Sequence, residues 1–450
     1  MTFTPTRRQL LTLAGLGAGT AALAACGGPQ TTPDSGGDAS SAAQTDWSSV
    51  TPASEITFWS NHPGASEAVE TEIIDAFNSS GAGITVSMVT AGANYEEVAQ
   101  RFQTQQAAGE LPDLVIFSDV WWFRYYMQSS IMPLDSILDT AGIDAGSYVQ
   151  GLWGDYTYDG QQWAVPYARS TPLFYYNKEH WAAAGLPDRA PETWEEFADW
   201  APQLMDADLG IQAAYQLPAL AGYAGWVTQN NLWGWGGGWS AEDSFDITTD
   251  SDQSLAAMQF LQDAVYADKW AAVAAQSAAD DVAAGAASAT IESTGSLVGF
   301  QQAASFELGV GFLPGGPEVQ QPVCPTGGAG LGIPAEIEPE RQLAAATFLA
   351  FMTNPENTAK FAGATGYMPV RTDADTSAII SANPAAEVAI NQLERIRPQD
   401  FARVFIPGAD QEMANACGDM FTQQADVAET MGSLRSTLEQ LYARDVEPNL

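Results

Sequence analysis

From about residue 54 onward, hydrophobic and polar positions follow the two periods that regular secondary structure requires. In the first third of the chain, three short segments are apolar or alternating, as strands are, and two segments between them carry apolar residues at helical spacing. In chain order these segments are residues 55–59, 66–78, 84–89, 95–108 and 114–117. Such an alternation predicts right-handed crossovers and a mainly parallel sheet. Ligand clefts in parallel sheets lie at the carboxyl ends of the strands, and Asp119 directly follows the third predicted strand.

The same periods predict elements in the rest of the chain. Strands are expected at residues 171–176, 289–291 and 308–312, and helices at residues 179–184, 193–205, 251–265, 341–353 and 427–444. Thr193 and Glu196 have the spacing of a capping box. Residues 233–239 are rich in glycine and tryptophan and predict a packed loop. The Lys-Ser/Thr pair of a phosphate-binding loop does not follow them.

The first 53 residues predict export and tethering. Arg7-Arg8 precedes a short apolar stretch that ends in Leu-Ala-Ala-Cys at Cys26, so residues 1–25 indicate a signal peptide. The segment around Arg7-Arg8 resembles a twin-arginine export motif, and its end resembles a lipobox in which Cys26 is acylated. An ordinary secretory signal with a chance cysteine is the alternative. Residues 26–53 contain few large apolar residues and predict a flexible tether to the membrane.

Composition narrows the classes of function. The remaining chain is too long for one small core, which predicts two lobes. A formal net charge of −39 argues against a nucleic-acid partner, because phosphate neutralisation needs clustered lysine and arginine. Only His62 and His180 are present, so the sequence excludes a multi-histidine metal site and indicates no cofactor. Apart from Cys26, Cys324 and Cys417 either form a disulfide in an oxidising compartment or remain buried thiols.

Several ordered motifs resemble one family of transport proteins. Residues 165–178 read Val-Pro-Tyr-Ala-Arg-Ser-Thr-Pro-Leu-Phe-Tyr-Tyr-Asn-Lys, and residues 185–197 contain Gly-Leu-Pro and Pro-Glu-Thr-Trp-Glu-Glu-Phe. Residues 309–314 read Gly-Val-Gly-Phe-Leu-Pro, and residues 353–357 read Thr-Asn-Pro-Glu-Asn. Together these blocks resemble the carbohydrate-type extracellular solute-binding proteins of ABC importers.

The resemblance implies a fold, a partner and a location. The fold would be α/β, a two-lobed periplasmic-binding-protein fold of the class II type, with a mainly parallel sheet in each lobe and the ligand cleft between them. Lobe 1 would comprise residues 54–168 plus 328–352, and lobe 2 residues 169–327 plus 353–450. The protein would be a monomer held by lipid on the outer face of the cell membrane. It would close on a small ligand by a hinge motion and deliver it to membrane permease subunits.

Finer motifs are similar to one subgroup, the glycerol-3-phosphate-binding proteins of Ugp-type importers. They include Ser-Thr-Pro at 170–172, Ser-Thr-Gly-Ser-Leu at 293–297 and Thr-Gly-Tyr-Met-Pro at 365–369. Residues 117–123, Phe-Ser-Asp-Val-Trp-Trp-Phe, are closest to the actinobacterial branch, which is associated with glycerophosphocholine and related diesters. The ligand positions that this resemblance implies are Tyr95, Asp119, Ser170, Tyr223, Trp226, Ser293, Gly328, Tyr367 and Arg403. The tryptophan pair of the enterobacterial proteins falls on Tyr223 and Trp226 of this chain. Because Tyr223 departs from that pair, the resemblance does not establish the second ligand subsite.

The residue types at these positions fit a glycerophospho ligand. Arg403 can form paired hydrogen bonds with phosphate oxygens, and hydroxyl groups with the Gly328 N–H can satisfy the others. Asp119 would accept hydrogen bonds from glycerol hydroxyls, and aromatic faces such as that of Trp226 would contact a choline group. From residue type alone, Arg403 would be a structural ion-pair residue and Asp119 only a helix N-cap. Trp121 and Trp122 cannot both point to one site, so at least one is expected in the core.

Two other functions remain open at this point. The same fold would bind a mono- or oligosaccharide if aromatic stacking dominated the site. An extracellular hydrolase needs two carboxylates or a cluster of metal ligands, and no pair of acidic residues is marked out for that chemistry. The sequence therefore predicts a binding protein without enzymatic activity.

Overall fold

The computed structural model describes residues 45–61, 65–221 and 223–450. The predicted signal peptide, the acylated Cys26 and most of the predicted tether lie outside these residues. The end of that tether, from residue 45 to residue 53, packs on the folded body instead. Trp47 is buried and its Nε1 donates to Ser136 Oγ at 3.0 Å, while Ala53 N donates to Glu340 O at 2.8 Å. One tryptophan supplies enough apolar surface to hold a segment that is otherwise polar.

The described residues form fourteen strands, numbered β1 to β14 in chain order. They are Glu55–Ser60, Thr85–Thr90, Leu114–Ser118, Thr157–Tyr158, Gln161–Gln162, Val165–Ser170, Pro172–Asn177, Ala213–Leu217, Ala271–Val273, Ala287–Ser293, Leu308–Gly311, Cys324–Pro325, Gly327–Gly332 and Ile396–Arg397. Every strand predicted from the sequence overlaps one of these, although the predicted strand at 171–176 is preceded by a separate strand, β6.

The described residues also form nineteen α-helices, numbered α1 to α19 in chain order. They are Ala65–Asn78, Tyr95–Ala108, Trp122–Met127, Asp135–Ala141, Gln150–Gly154, Lys178–Ala183, Trp194–Asp206, Ala224–Val227, Gln229–Gly234, Asp252–Tyr266, Ala278–Ala283, Leu297–Ala303, Pro339–Met352, Pro355–Thr365, Ser377–Ala382, Ala385–Gln392, Phe401–Val404, Ala409–Gln423 and Val427–Leu441. Among them no helix is both long and apolar enough to cross a bilayer.

Local chemistry explains where helices begin. Thr193 Oγ1 accepts from Glu196 N at 3.1 Å, as the predicted capping box requires, and α7 then buries Trp194 and Phe197. The predicted loop at residues 233–239 is partly wrong, because α9 continues through Trp233 and Gly234. A helix is stable there because Trp233 is fully buried and its Nε1 donates to Asp400 Oδ1 at 3.0 Å.

Two five-stranded sheets, each covered by helices, form the two lobes. The first has the order β2-β1-β3-β13-β6, and the second has the order β11-β7-β10-β8-β9. Phe58 and Phe77 pack with Phe348 in the first lobe, whereas Phe174 and Trp194 pack together in the second. The α/β class with two lobes is therefore confirmed.

Each sheet is mixed, and the prediction of mainly parallel sheets was wrong on this point. In the described strands, β1 runs parallel to β2 and β3, but β13 is antiparallel to β3 and β6. In the second sheet, β8 runs parallel to β9 and β10, but β7 is antiparallel to β10 and β11. The antiparallel strands β13 and β7 are the strands by which the chain enters each sheet after it has crossed from the other lobe. They therefore run in the direction opposite to their neighbours.

The chain crosses between lobes at two adjacent strands. The first crossing follows β6, and the second precedes β13, which pairs with β6 through Gly327 opposite Ser170. Helix α14, which the predicted boundary assigns to lobe 2, packs on α1 of the first lobe, and Lys360 Nζ lies 2.7 Å from Glu72 Oε2. Residues 355–365 therefore pack with the first lobe, because the chain returns across α1 after the second crossing. The other predicted lobe boundaries stay a prediction.

Both described cysteines are free and buried, so of the two alternatives that the sequence left open the structure has the two buried thiols. Cys324 lies in β12 beside Thr171, whereas Cys417 lies in α18 beside Thr228. Burial raises the pKa of the Cys417 thiol to about 12, and it also raises the pKa of Cys324. Neither thiol is a reactive thiolate at neutral pH.

Candidate ligand-binding site

A cavity of about 660 Å³ lies between the two sheets, next to the carboxyl end of β3. Residues from both sheets and from the C-terminal helices line it. All nine positions that the sequence resemblance implied are among them: Tyr95, Asp119, Ser170, Tyr223, Trp226, Ser293, Gly328, Tyr367 and Arg403. The structure therefore brings together residues that are up to 308 positions apart in the chain, although their contact with a ligand stays a prediction.

Asp119 is held by neighbours from both lobes. Its backbone N–H donates to Gly328 O at 3.0 Å, and Oδ1 accepts from Ser118 Oγ at 3.0 Å. Oδ2 accepts from Gln399 Nε2 at 2.5 Å. The N-cap position of α3 is Trp121, which makes no capping hydrogen bond through its side chain, so Asp119 is not the helix cap. A buried carboxylate fixed in this way can accept hydrogen bonds from ligand hydroxyls.

Arg403 in α17 is 5% exposed and is fixed by three neighbours. Its Nε donates to Asp410 Oδ1 at 2.8 Å, Nη1 donates to Gln399 Oε1, and Nη1 lies 3.6 Å from Asp119 Oδ2. No hydrogen bond of Nη2 to another residue of the described chain is found. The guanidinium group is therefore oriented by its surroundings and retains a donor edge for an anion.

Two backbone features place donors on the other side of the cavity. Ser293 ends β10, and its Oγ accepts from Gly295 N at 3.1 Å, so its hydroxyl hydrogen is left to donate elsewhere. Gly328 has φ of +93°, and a Cβ there would lie 2.1 Å from Ala168 O. Only glycine fits this close approach, which brings the second crossing against the first beside Ser170.

Aromatic side chains form one end of the cavity. The rings of Tyr223 and Trp226 are 6.0 Å apart in a T-shaped arrangement, and Trp226 Nε1 donates to Thr326 O at 2.8 Å. Trp122 is fully buried, whereas Trp121 lines the cavity with Arg124, as expected from their adjacency in the chain. These rings offer faces to an apolar or cationic group.

The hydroxyls of Tyr95 and Tyr367 are 3.5 Å apart, although they come from opposite ends of the chain. Burial is the main cause that raises the pKa of both phenols. Both hydroxyls therefore remain protonated donors at neutral pH.

A buried carboxyl group lies behind each wall of the cavity. Glu70 of α1 accepts from Ser60 Oγ at 2.7 Å and from the Tyr167 hydroxyl at 3.3 Å, and burial raises its pKa to about 8. Glu292 of β10 accepts from Ser293 N at 2.7 Å, and burial also raises its pKa. Sequence patterns did not reveal either group, nor the roles of Gln399 and Asp410 around Arg403. The position of Glu292 directly before Ser293 was the one available signal.

Among the described residues no cluster of three or more histidine, cysteine or acidic side chains is placed to bind a metal ion. The donors around the cavity are hydroxyls, the guanidinium groups of Arg403 and Arg124, and backbone amides, which recognise an anion or a polyol directly. The acidic residues of the lining are Glu96, Asp119 and Asp410, and the last two neighbour Arg403.

Comparisons with known proteins agree with the fold. The family described as bacterial extracellular solute-binding proteins matches residues 72–388, and the chain belongs to this family. The sn-glycerol-3-phosphate-binding periplasmic protein UgpB of Pectobacterium atrosepticum is 27% identical over 375 residues, which cover 78% of this chain and 82% of the relative. UgpB of Salmonella typhimurium is 27% identical over 369 residues, which cover 77% of this chain and 82% of the relative.

A solved structure is more similar. UgpB from Mycobacterium tuberculosis in complex with glycerophosphocholine has a TM-score of 0.83 and 39% identity, covering 88% of this chain and 100% of that chain. The GacH receptor of Streptomyces glaucescens has a TM-score of 0.75 but 18% identity, covering 87% of this chain and 98% of that chain, and shows the shared fold alone. The chain is homologous to the UgpB proteins and is an extracytoplasmic substrate-binding protein of an ABC importer.

Proposed function

We propose that this protein binds a glycerophosphodiester, represented by glycerophosphocholine, and delivers it to the permease subunits of its importer. Glycerol-3-phosphate is the alternative ligand of the same chemical class. The observation that carries the proposal is the convergence of the nine positions on one cavity around an oriented Arg403. It is supported by 39% identity to a UgpB crystallised with glycerophosphocholine.

The phosphate group would lie against Arg403 Nη2, the hydroxyls of Ser170 and Ser293, and the N–H of Gly328. These groups come from both lobes, so a ligand that contacts all of them favours the closed form. Charge-assisted hydrogen bonds from a guanidinium group are the strongest contacts in this set. Asp119, which would repel the phosphate at close range, would accept hydrogen bonds from the glycerol hydroxyls.

The local charge favours a diester over a monoester. Arg403 lies between two carboxylates, with Asp410 Oδ1 2.8 Å from its Nε and Asp119 Oδ2 3.6 Å from its Nη1. A phosphodiester carries one negative charge, whereas a phosphomonoester carries about −1.5 to −2 at pH 7. At Arg403 the additional charge would meet these two carboxylates, and the other arginine of the lining, Arg124, lies against the ring of Trp121. We therefore expect a lower affinity for glycerol-3-phosphate than for the diester.

The head group of the diester would meet the aromatic end of the cavity. Tyr223 and Trp226 present ring surface there, and Trp121 lies at another part of the lining. A quaternary ammonium is attracted to such rings by roughly 0.5–2 kcal/mol. This contact would add affinity for choline without a hydrogen bond.

Calorimetric titration with glycerophosphocholine, glycerol-3-phosphate and maltose tests the proposal. We expect glycerophosphocholine to bind at one molecule per protein, glycerol-3-phosphate to bind at least about tenfold more weakly, and maltose not to bind. Binding of maltose alone would overturn the assignment in favour of a sugar receptor. Incubation with the diester should release no glycerol-3-phosphate, and accumulation of that product would identify a hydrolase instead.

Anchoring belongs to the same proposal. Acylation of Cys26 would hold a monomer on the outer face of the membrane, and residues 27–44 would let it reach the permease. Export through the twin-arginine route is proposed from Arg7-Arg8. A Cys26→Ser variant should move from the membrane fraction to the medium, whereas continued membrane retention would contradict the lipid anchor.

A further inference from the structure

A second cavity of about 380 Å³ adjoins the ligand cavity. It lies among the ends of β8 and β10 and the helices α11 and α12, and its walls include Asp280, Glu292, Ser296 and Phe300. Tyr223 is the one member of the nine positions that lines both cavities. Its side chain therefore stands between the space proposed for the ligand and a second space of sufficient size for a small polar group.

The ring of Tyr223 is supported on one side by Trp226, which is itself fixed by its hydrogen bond to Thr326 O. The hydroxyl end faces Glu292, and the negative charge of that carboxylate is the largest cause that raises the pKa of Tyr223. Glu292 Oε1 also accepts from Ser293 N at 2.7 Å and from Ser296 Oγ at 3.2 Å. One carboxylate thus contacts two residues that line the ligand cavity, Tyr223 and Ser293.

Glu292 is 8% exposed and takes part in no ion pair within the described part of the chain. The other charged or titratable groups that act on it or on Tyr223 are Asp280, Tyr175 and Tyr367, and none of them is a cation. A buried carboxylate without a cation costs stability, since its desolvation is repaid only through hydrogen bonds. Its contacts are directed at the wall of the cavity rather than at a structural ion pair.

We propose that Glu292 is a positioning residue that holds Tyr223 as the wall between the two cavities, and that this pair limits the size of the ligand's head group. The identity of the ligands in the test rests on the proposed function. With Tyr223 in place, a head group must fit the cavity of about 660 Å³. Without it, a larger head group extends into the side cavity, whose wall carries Asp280 and Glu292.

The experiment measures dissociation constants for three diesters with head groups of increasing size: glycerophosphoethanolamine, glycerophosphocholine and glycerophosphoinositol. For Tyr223→Ala, we expect the affinity ratio of the inositol to the ethanolamine diester to rise by at least about tenfold. Tyr223→Phe and Glu292→Gln each remove one half of the polar contact and should raise the same ratio by about fivefold. The double variant should show no further rise, because both changes remove one interaction.

Tyr175→Phe is the matched control. Its hydroxyl donates to Ser293 O at 3.0 Å and lies near Glu292, but Tyr175 lines neither cavity. The ratio should stay within about twofold of the unmodified protein, since the wall is intact. A ratio that is unchanged in Tyr223→Ala, or affinities for all three diesters that fall equally in Glu292→Gln, would overturn the proposal.

If the proposed function is wrong, the binding measurements give a different result. If the unmodified protein binds maltose and none of the diesters, the ligand class is wrong. The same variants are then compared by their ratio of maltotriose to maltose affinity, with the same expected rise in Tyr223→Ala. An unchanged ratio in that series overturns the wall as well.

Discussion

Two concavities of the described chain differ in how their charged groups are satisfied. A groove of about 1020 Å³ runs along β11, the edge strand of the second sheet, and is larger than the cavity between the lobes. In the groove, Lys178 Nζ lies 2.7 Å from Glu307 Oε1 and 3.3 Å from Asp188 Oδ2, and all three side chains reach solvent. In the cavity, Arg403 is buried and retains a donor edge. The cavity is distinguished from the groove by the buried polar groups that meet there from both lobes, and not by its volume.

The largest effect is expected for Arg403→Ala. Removal of the guanidinium group should weaken binding of glycerophosphocholine on the order of 100-fold, since hydrogen bonds to charged groups contribute about 1.5–3 kcal/mol. Asp119 and Asp410 lose their partner as well, so thermal denaturation without ligand must show that the variant is folded. Arg403→Lys, which keeps the charge but loses the paired donors, should be weakened less. An affinity within about threefold of the original would show that Arg403 is structural.

The next largest effect is on the pH dependence of folding stability. It distinguishes Glu70, which is buried behind the cavity, from Glu307, which is exposed in the groove. Burial raises the pKa of Glu70 to about 8, from an ordinary value of 4.5 for a glutamate side chain. Between these values the unfolded chain has lost the proton that the folded protein keeps, so stability falls as pH rises through this window. From pH 5.5 to pH 7 the loss due to Glu70 should be about 2 kcal/mol.

Urea denaturation at the two pH values measures this loss in the original protein and in Glu70→Gln. The variant should lose less stability over the same interval, because the amide does not titrate. Glu307→Gln is the control from the groove, and its pH dependence should match that of the original protein. Equal pH dependence in all three proteins would contradict the assignment to Glu70.

A smaller effect is expected for Asp119→Asn. The amide keeps the shape of the side chain but removes the charge that would accept hydrogen bonds from glycerol hydroxyls, so affinity should fall about tenfold. Ser118→Ala removes only the hydrogen bond to Asp119 Oδ1 and should have a weaker effect. Titration calorimetry distinguishes the two. Unchanged affinity in Asp119→Asn would mean that Asp119 serves only to orient Arg403 and Gln399.

The smallest effect should come from the groove itself. Arg395 stacks on Phe312, with its guanidinium carbon 3.8 Å from the ring centroid, and it lines the groove rather than the cavity. Arg395→Ala should leave the affinity for glycerophosphocholine within about twofold of the original value. A tenfold loss would show that the larger concavity takes part in binding and would remove the distinction between the two regions.

Some parts of the molecule could be predicted from the sequence better than others. The strands before Asp119 were predictable because their apolar pattern is local, and Asp119 follows a strand end directly. The other site positions came from family motifs, not from periodicity. Gln399 was missed because its contact with Asp119 arises only when the segment before α17 meets the first lobe. Asp410 was missed because its contact with Arg403 depends on how α17 packs on α18.

The errors have the same origin. Strand direction in β13 depends on how a distant segment returns to the first sheet, and no local pattern encodes it. The pairing of Cys324 with Cys417 was left open for the same reason, since their separation depends on the packing of β12 and α18. Trp47 was missed because a composition average over a polar segment hides one anchoring side chain.

The central position of β13 in the first sheet has a consequence for the order of folding. Its strand pairs with β3 on one side and β6 on the other, yet it begins more than 150 residues after β6 ends. During synthesis, β3 and β6 therefore have no common neighbour until the whole second sheet has left the ribosome. Contacts of such long sequence separation slow folding, so the first sheet is the later of the two sheets to be completed, although its first three strands are made before any strand of the second sheet.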